Sequence, residues 1–382
     1  MAIVLTLALT FINFVSVNAA RVVVTLYALT LGAPASAVGI IGGLFFVFPL
    51  LLSWPIGAMC DRLGARPLLL AGAVSGVCAL AVPFFWRDLP ALYIAATLSG
   101  FSLAFYHVTL QYLIGTLSAP LQRSRNFANF SLVGAVTSFL GPLLAGFTID
   151  NFGHAIACLT IAVFSALAFI LLTAGSRLLP APVAKGAAPA TPEAPPAKFD
   201  RALWRMLTVS GLAQLGTDLF QFYMPIYGYK LGLTATAIGM VLSTFAVAAF
   251  IVRVFLTRLI RRMGPKRLLA YSFSIGAAGF FLVPAFEHAL MLSLVAFAFG
   301  LGMGCGVPLT LMLMYEQSTA GRPGRALGLR LTTNNGVRVV GPVIFGAIGS
   351  AFGVPPVFWI SALLMGSGAW LARAKRARAG NA

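Results

Sequence analysis

The fold is decided by the stretch Gly57-Ala58-Met59-Cys60-Asp61-Arg62-Leu63-Gly64-Ala65-Arg66-Pro67, a short charged segment between two long apolar runs. Moving its ionised side chains into hydrocarbon costs several kcal/mol each, so we expect the segment at a membrane surface. Gly64 permits the left-handed backbone of a tight turn, and Pro67 suits the first turn of a following helix. The stretch therefore predicts two membrane helices joined by a short surface turn.

The composition is that of an integral membrane protein. Of 382 residues, 60% are hydrophobic and 9% are charged, and the mean hydropathy of +0.96 excludes a water-soluble domain. The net charge of +18 arises from loops on one side of the predicted membrane, so we expect no nucleic acid partner. The cysteines Cys60, Cys78, Cys158 and Cys305 are far apart within apolar runs, which favours packing roles over a disulfide or a metal site.

The apolar runs predict an all-α membrane protein with twelve transmembrane helices, each of about 20 residues or more. Their expected spans are 3–30, 37–60, 67–86, 90–114, 127–149, 153–175, 204–229, 236–260, 267–286, 289–314, 326–349 and 354–373. Most of the 26 Lys and Arg fall on one side, and only Arg87 and Lys230 lie in loops on the other. This bias predicts a multi-pass protein with both termini cytoplasmic, and the compactness of the chain favours a bacterial inner (plasma) membrane.

Two halves related by an internal repeat make up the chain. We expect an N-terminal six-helix bundle at 1–176, an Ala/Pro-rich cytoplasmic linker at 177–202, a C-terminal six-helix bundle at 203–373 and a basic tail at 374–382. At a shift of 200 residues, Tyr27, Gly32, Gly64 and Gly141-Pro142 recur as Tyr227, Gly232, Gly264 and Gly341-Pro342.

The first apolar run continues past Arg21, which favours a retained helix over a secretory signal. It also starts abruptly, and we expect a few residues to precede Met1.

The pattern G-x-x-x-D-R-x-G-x-R at residues 57–66 resembles the loop between helices 2 and 3 of the major facilitator superfamily (MFS) of secondary transporters. The resemblance implies alternating access around a central site between the two halves. In that family the carboxylate faces the amino end of helix 11 and latches the outward-open state. Asp61 capping a turn is the alternative, and Arg261 stands at the equivalent position of the second half. The resemblance assigns gating to Gly57, Asp61, Arg62, Gly64 and Arg66.

The segment around Gly141-Pro142 resembles the fifth-helix motif associated with antiporters of this superfamily. It departs from that motif at Ala145, where a glycine is usual. Because the Gly-Pro pair recurs in the second half, a shared helix kink also explains it. We assign Gly141 and Pro142 to gating and favour export over uptake.

Asp218 is the acidic residue that falls midway along a predicted span, the seventh. An intramembrane carboxylate is unfavourable unless it is paired, protonated or hydrated, so Asp218 is the candidate for proton coupling. Gln214 and Gln221 lie on the same helix face. In the repeat, Asn18 corresponds to Asp218 and Arg21 to Gln221, and a structural Arg21–Asp218 ion pair is the alternative.

The eleventh predicted span carries Arg330, Asn334 and Arg338 on one face. We expect Arg330 to extend to the cytoplasm and Arg338 to stay deep in the membrane. Arg253 occupies a similar depth in the eighth span. Deep guanidinium groups match carboxylates or phosphates and favour an anionic or zwitterionic substrate, and the alternative is that they bind backbone carbonyls.

The fourth predicted span places His107 and Gln111 on one face, where the histidine either relays protons or is a neutral, hydrogen-bonded residue. The expected substrate cavity therefore comprises Asn18, Arg21, His107, Gln111, Gln214, Gln221, Arg253, Asn334 and Arg338.

These patterns predict a proton-coupled secondary active transporter that exports a small organic molecule, either a drug-like compound or a metabolite. Proton-symport uptake of a small organic anion is the alternative. The three histidines and few carboxylates of the chain form no catalytic grouping in the sequence, so we expect no enzyme activity. The expected partners are a small-molecule substrate, protons and the lipid bilayer. We expect a monomer without cofactor or metal.

Overall fold

The computed structural model describes residues 2–119, 122–175, 201–317 and 323–373, leaving out the side chains of residues 54, 61, 123–125, 127, 128, 201, 202, 315–317 and 323–329. Every regular element in these stretches is a helix, as a chain in lipid requires for its backbone hydrogen bonds. The helices are α1 Ala2–Thr30, α2 Ala35–Leu63, α3 Ala65–Phe85, α4 Leu89–Leu117, α5 Arg123–Ala174, α6 Arg201–Lys230, α7 Ala235–Val254, α8 Leu256–Met263, α9 Pro265–Leu282, α10 Ala289–Met303, α11 Gly306–Gln317, α12 Pro323–Phe352 and α13 Val354–Arg373.

The helices of the described chain are consistent with the predicted number of membrane crossings. Ten helical stretches of the described chain are long and apolar enough to cross a membrane. One of them, Asn129–Ala174, has 46 residues and breaks at Gly153, where φ is 78°, so it accounts for two crossings. The 30-residue helix α6 is the repeat counterpart of α1. The all-α class is confirmed, and the architecture is consistent with twelve crossings.

Two predicted spans are interrupted. The span expected at 236–260 ends as α7 at Val254, and α8 follows as a separate short helix with three arginines and no buried residue. The span expected at 289–314 divides into α10 and α11 between Met303 and Gly306. Glycines at 302, 304 and 306 weaken helix propensity at this second break.

The repeat is visible in the backbone of the turns. The glycines with positive φ form three pairs 200 residues apart, namely Gly32 and Gly232, Gly64 and Gly264, and Gly153 and Gly353. Because successive crossings alternate in direction, the turns at 32, 153, 232 and 353 share one face, named here the Gly32 face. The turns at 64 and 264 lie on the opposite, Gly64 face.

The two halves meet where proline-bearing helices cross glycine-bearing helices. A Cβ on Gly239 of α7 would lie 2.5 Å from the carbonyl oxygen of Pro142 in α5. In the repeat-related crossing, a Cβ on Gly39 of α2 would lie 2.4 Å from the carbonyl oxygen of Pro342 in α12. These small residues let the backbones of the two halves touch.

The expected linker at 177–202 lies outside the described residues except for its last two, which begin α6, and the expected tail at 374–382 lies outside them as well. Three of the four cysteines are buried as packing residues, whereas Cys78 is exposed on the helix surface.

Candidate functional site

Helices α6 and α12 bring Asp218 and Arg338 together between the two halves. The Nε atom of Arg338 lies 3.0 Å from Oδ2 of Asp218, and this is the ion pair present among the described residues. Gln214, one helical turn before Asp218, donates to the same oxygen at 2.7 Å. Asp218 is only 4% exposed. The polar stripe predicted on this helix therefore forms a buried, hydrogen-bonded carboxylate.

The two carboxylate oxygens of Asp218 differ in their surroundings. Both hydrogen bonds reach Oδ2. Among the described residues, Oδ1 has no hydrogen-bond partner. Arg338 and Gln214 therefore share one oxygen of Asp218 and leave the other without a described donor.

Arg21 approaches the same cluster from the other half. Its Nη1 atom donates to Oε1 of Gln221 at 3.3 Å, and its Cζ atom lies 5.1 Å from the ring centroid of Phe46. The Cζ atom of Arg338 lies 4.9 Å from the centroid of the same ring, so one buried aromatic ring contacts both cations. The ion-pair partner of Asp218 is thus Arg338, and the Arg21–Asp218 pair considered from the sequence does not form. Arg21 instead donates a hydrogen bond to Gln221, which corresponds to it in the repeat.

A small cavity of about 30 Å³ lies beside Arg21 at the junction of the halves. Its polar lining comes from Asn18, Thr25, Ser138 and Gln221, and its apolar lining includes Pro142. Gly141 leaves the space that Asn18 occupies, because a Cβ there would lie 2.5 Å from Cβ of Asn18. The Gly-Pro pair therefore shapes the cavity wall.

The family profile of the Major Facilitator Superfamily matches residues 6–233 and again residues 206–381, which together span almost the whole chain. The chain belongs to the major facilitator superfamily. It is 24% identical over 338 residues to the uncharacterized MFS-type transporter YuxJ of Bacillus subtilis, covering 87% of this chain and 86% of YuxJ. It is also 24% identical over 182 residues to the multidrug resistance protein MdtM of Escherichia coli K12, covering 47% of this chain and 42% of MdtM.

Solved structures of transporters have a similar fold. The crystal structure of the nucleoside transporter NupG superposes with a TM-score of 0.79 at 14% identity, covering 98% of this chain and all of NupG. At that identity the likeness shows the MFS fold alone. The protein is therefore an MFS transporter with an integral, multi-pass architecture.

Two other arginines of this MFS transporter bind backbone carbonyls at the break between α10 and α11. Arg253 donates from Nε to the carbonyl oxygen of Gly304 at 3.0 Å. Arg330 is only 4% exposed and donates to the carbonyl oxygen of Val307 at 3.1 Å and to Oγ1 of Thr310 at 3.4 Å. The expectation that Arg330 extends to the cytoplasm is wrong, because the helix break offers it acceptors inside the protein. Neither arginine contacts the Asp218 cluster.

The remaining predicted cavity residues lie at two places. Asn334 is buried on α12 and accepts a hydrogen bond from Ser210 of α6 at 3.1 Å. His107 is exposed on α4, with Gln111 at 3.0 Å and the ring of Phe14 at 5.9 Å. These contacts place His107 against α1, apart from the hydrogen bonds of the Asp218 cluster.

The predicted gating residues of the 57–67 stretch surround the turn between α2 and α3. Gly64 has φ 76° and ends α2, as its expected turn role requires, while Arg62 and Arg66 are exposed. A Cβ on Gly57 would meet no described atom within 4 Å. The side chain of Asp61 lies outside the described residues, so its contact with the eleventh crossing stays a prediction.

Sequence reasoning missed a repeat-related pair of polar contacts between the halves. On the Gly32 face, the carboxylate of Asp150 accepts hydrogen bonds from the backbone N–H groups of Ala235 at 3.0 Å and Thr236 at 2.7 Å, at the start of α7. In the repeat-related position, the hydroxyl of Ser350 accepts from the N–H of Ser36 at 2.7 Å, at the start of α2. The chain offered one signal for this pair, since 150 and 350 are related by the same shift of 200.

Phe46 was also missed. The aromatic ring under both guanidinium groups lies in an apolar run with several other phenylalanines, and nothing in its sequence position distinguishes it from a lipid-facing residue.

Proposed function

We propose that this MFS transporter couples the export of a small organic molecule to proton entry by alternating access. The observation that carries the proposal is the buried carboxylate of Asp218, held by Arg338 and Gln214 at the junction of the two halves. A buried titratable group with a single ionic partner is suited to bind and release protons as its surroundings change.

The coupling step follows from the two oxygens of Asp218. When a proton adds to Oδ1, Asp218 becomes neutral and its attraction for Arg338 falls. Arg338 is then able to interact with substrate or to move with α12. When Asp218 loses the proton, the ion pair forms again, because an unpaired buried charge is unfavourable by several kcal/mol.

The contacts at the Gly32 face support a state closed on that side. Asp150 and Ser350 each bind the amino end of a helix from the opposite half. Opening toward the Gly32 face requires that both contacts break. We propose that the Gly32 face is extracellular and that both termini are cytoplasmic, in accord with the basic loops on the other side.

Two observations favour export. The chain is similar over 182 residues to MdtM, whose name describes multidrug resistance. The Gly141-Pro142 pair lies at the crossing of α5 and α7, where a kink can control how the halves separate. We propose a drug-like compound or a metabolite as the substrate, a monomeric carrier in a bacterial inner membrane, and transport without enzymatic conversion.

Proton release from inverted membrane vesicles tests this proposal. Vesicles are energised by respiration, and a panel of drugs and organic acids is added to wild type, Asp218→Asn and Asp88→Asn. Asp88 is the matched control, because it is a carboxylate that caps α4 on the Gly32 face, with Oδ1 2.7 Å from the N atom of Leu89. We expect at least one compound to release protons with wild type and Asp88→Asn but not with Asp218→Asn. Equal release with Asp218→Asn would make Asp218 a structural partner of Arg338.

Uptake of a small organic anion with protons is the second candidate. The observation favouring it is the positive charge of Arg21, which has no carboxylate within ion-pair distance among the described residues. Accumulation of labelled anions in cells, with no compound-driven proton release in the vesicles, would select this candidate.

A further inference from the structure

We infer that the cavity beside Arg21 is a subsite for one carboxylate group of the transported molecule. The inference rests on the proposed function in one respect, namely that the cavity belongs to the transport path. It holds for either direction of transport.

The charge of the cluster requires an anion. Arg21 and Arg338 are both within about 5 Å of the Phe46 ring, at 5.1 and 4.9 Å, while Asp218 is the carboxylate bound to Arg338. The described cluster therefore has one unbalanced positive charge at the junction of the two halves. A charge in that setting is favourable only when it is paired, and Gln221 supplies Arg21 with a neutral acceptor.

The cavity offers the donors that a carboxylate needs. Arg21 contributes a planar fork of N–H groups, of which one hydrogen bond, to Gln221, is used among the described residues. Asn18 and Thr25 also line the cavity, and neither side chain forms a hydrogen bond with another described residue. Ser138, in contrast, donates to the carbonyl oxygen of Gly134 at 2.8 Å and keeps only acceptor capacity.

The size of the cavity selects a compact group. Its volume of about 30 Å³ has room for two or three water-sized positions, since one water needs about 10–15 Å³ by this measure. Two carboxylate oxygens fit such a space. The guanidinium of Arg21, with Cζ 5.1 Å from the centroid of the Phe46 ring, is itself planar, and its fork of N–H groups matches a planar carboxylate.

Binding to the purified full-length protein tests the subsite. Thermal unfolding in detergent is measured with benzoate and phenylacetate, with their neutral isosteres benzamide and phenylacetamide, and with inorganic phosphate, all at matched ionic strength. We expect both acids to stabilise wild type and the amides to have no comparable effect. The variant Arg21→Gln should weaken acid binding by about tenfold to a hundredfold, as expected for the loss of a charged hydrogen-bond donor.

Arg258→Gln is the matched control, because this arginine is exposed on α8 and has no place in the expected cavity, and the acid affinity of the variant should equal that of wild type. If Arg21→Gln does not fold, Asn18→Ala provides the second variant, with acid binding expected to weaken by about fivefold. Equal effects of acids and amides, tighter binding of phosphate than of the acids, or unchanged acid binding in the cavity variants would each overturn the subsite.

The outcome separates the subsite from the proposed function. Acid binding that depends on Arg21, without any compound-driven proton release in vesicles, supports the subsite while the function fails. Proton release that depends on Asp218 but is driven only by neutral or cationic compounds, without acid binding, overturns the subsite and leaves the function standing.

Discussion

Removing the Asp150 carboxylate should shift the transporter toward the state that is open on the Gly32 face. Asp150 belongs to the first half and binds the amino end of α7 in the second half. A side chain that caps a helix amino terminus contributes about 1 kcal/mol, and a charged one up to about 2 kcal/mol when partly buried. Because Asp150 is exposed, solvent screening favours the lower figure. Asp150→Ala should therefore raise the ratio of open to closed molecules about fivefold.

The distance between the halves can be measured by double electron–electron resonance. Spin labels replace Arg87 and Glu287, two exposed residues that are 200 positions apart in turns of the Gly32 face. The background carries Cys78→Ser, since Cys78 is exposed while the other cysteines are buried. The ratio of the long-distance to the short-distance population should rise about fivefold in Asp150→Ala.

Ser350→Ala is the matched control, because Ser350 caps α2 from the opposite half as a neutral group. Its effect should be similar or smaller and independent of pH, and the double variant should show additive free energies. An unchanged distance distribution in Asp150→Ala, with the protein still folded, would show that this contact does not hold the halves together.

The pH dependence of the Asp150 contact has a defined direction. Partial burial raises the pKa of Asp150, which lies in the turn between the fifth and sixth crossings. Hydrogen bonds from the side chains of Thr236 and Thr234 and from the backbone at Thr236 and Ala235 outweigh burial, so the pKa lies below its ordinary value of 3.8. Because this pKa is lowered, the ionised carboxylate stabilises the closed state at pH values above the ordinary carboxyl pKa. That stabilisation is lost as the pH falls through the lowered pKa. The contact should therefore persist near neutral pH, and opening on acidification should begin only below about pH 4.

Three further changes test the packing and the buried arginine. Gly239→Ala should open the α5–α7 crossing and increase the long-distance population in the same resonance experiment, whereas Gly366→Ala on α13, whose Cβ meets no described atom, should not. Gly141→Ala should displace Asn18 from the cavity wall and weaken acid binding by about fivefold in the thermal assay; unchanged binding would exclude Asn18 as a ligand. Arg330→Met should lower the free energy of unfolding by about 1.5–3 kcal/mol, because two hydrogen bonds to α11 are lost, and an unchanged unfolding midpoint would contradict their importance.

Much of the architecture could be predicted because membrane helices are long apolar runs with turns at glycine. The first predicted span, 3–30, is observed as Ala2–Thr30, and the predicted glycine pairs reappear as turns with positive φ. The polar stripe of α6 could also be predicted, since residues three and four apart share a helix face. Periodicity along one helix was sufficient for these features.

The arrangement between helices could not be predicted in the same way. Spacing along α12 placed Arg338 on a polar face but did not define how that face is rotated against α6, so it did not select Arg338 over Arg21 as the partner of Asp218. The break between α10 and α11 was hidden inside an apolar run, and the carbonyls there bind Arg253 and Arg330. The side chains that sequence reasoning misplaced are thus those whose partners lie on another helix.

The charge of the cluster also links the carboxylate subsite to the direction of transport. A simple anion bound at Arg21 balances the cluster, and a proton on Asp218 restores an unbalanced positive charge, so each should favour binding of the other. An anion and a proton that favour each other's binding cross the membrane together, which is symport and therefore uptake. Export against proton entry instead needs a substrate that competes with the proton, which a zwitterion achieves when its carboxylate binds Arg21 and its ammonium group approaches Asp218.

Phenylacetate and phenylalanine separate these cases in the same thermal assay, because they share an aromatic carboxylate and differ in the ammonium group. If the transporter exports its substrate, phenylalanine should bind more tightly than phenylacetate, and its affinity should fall on acidification in wild type but not in Asp218→Asn. Tighter binding of phenylacetate on acidification, lost in Asp218→Asn, would contradict export, because a ligand that binds together with the proton crosses the membrane with it.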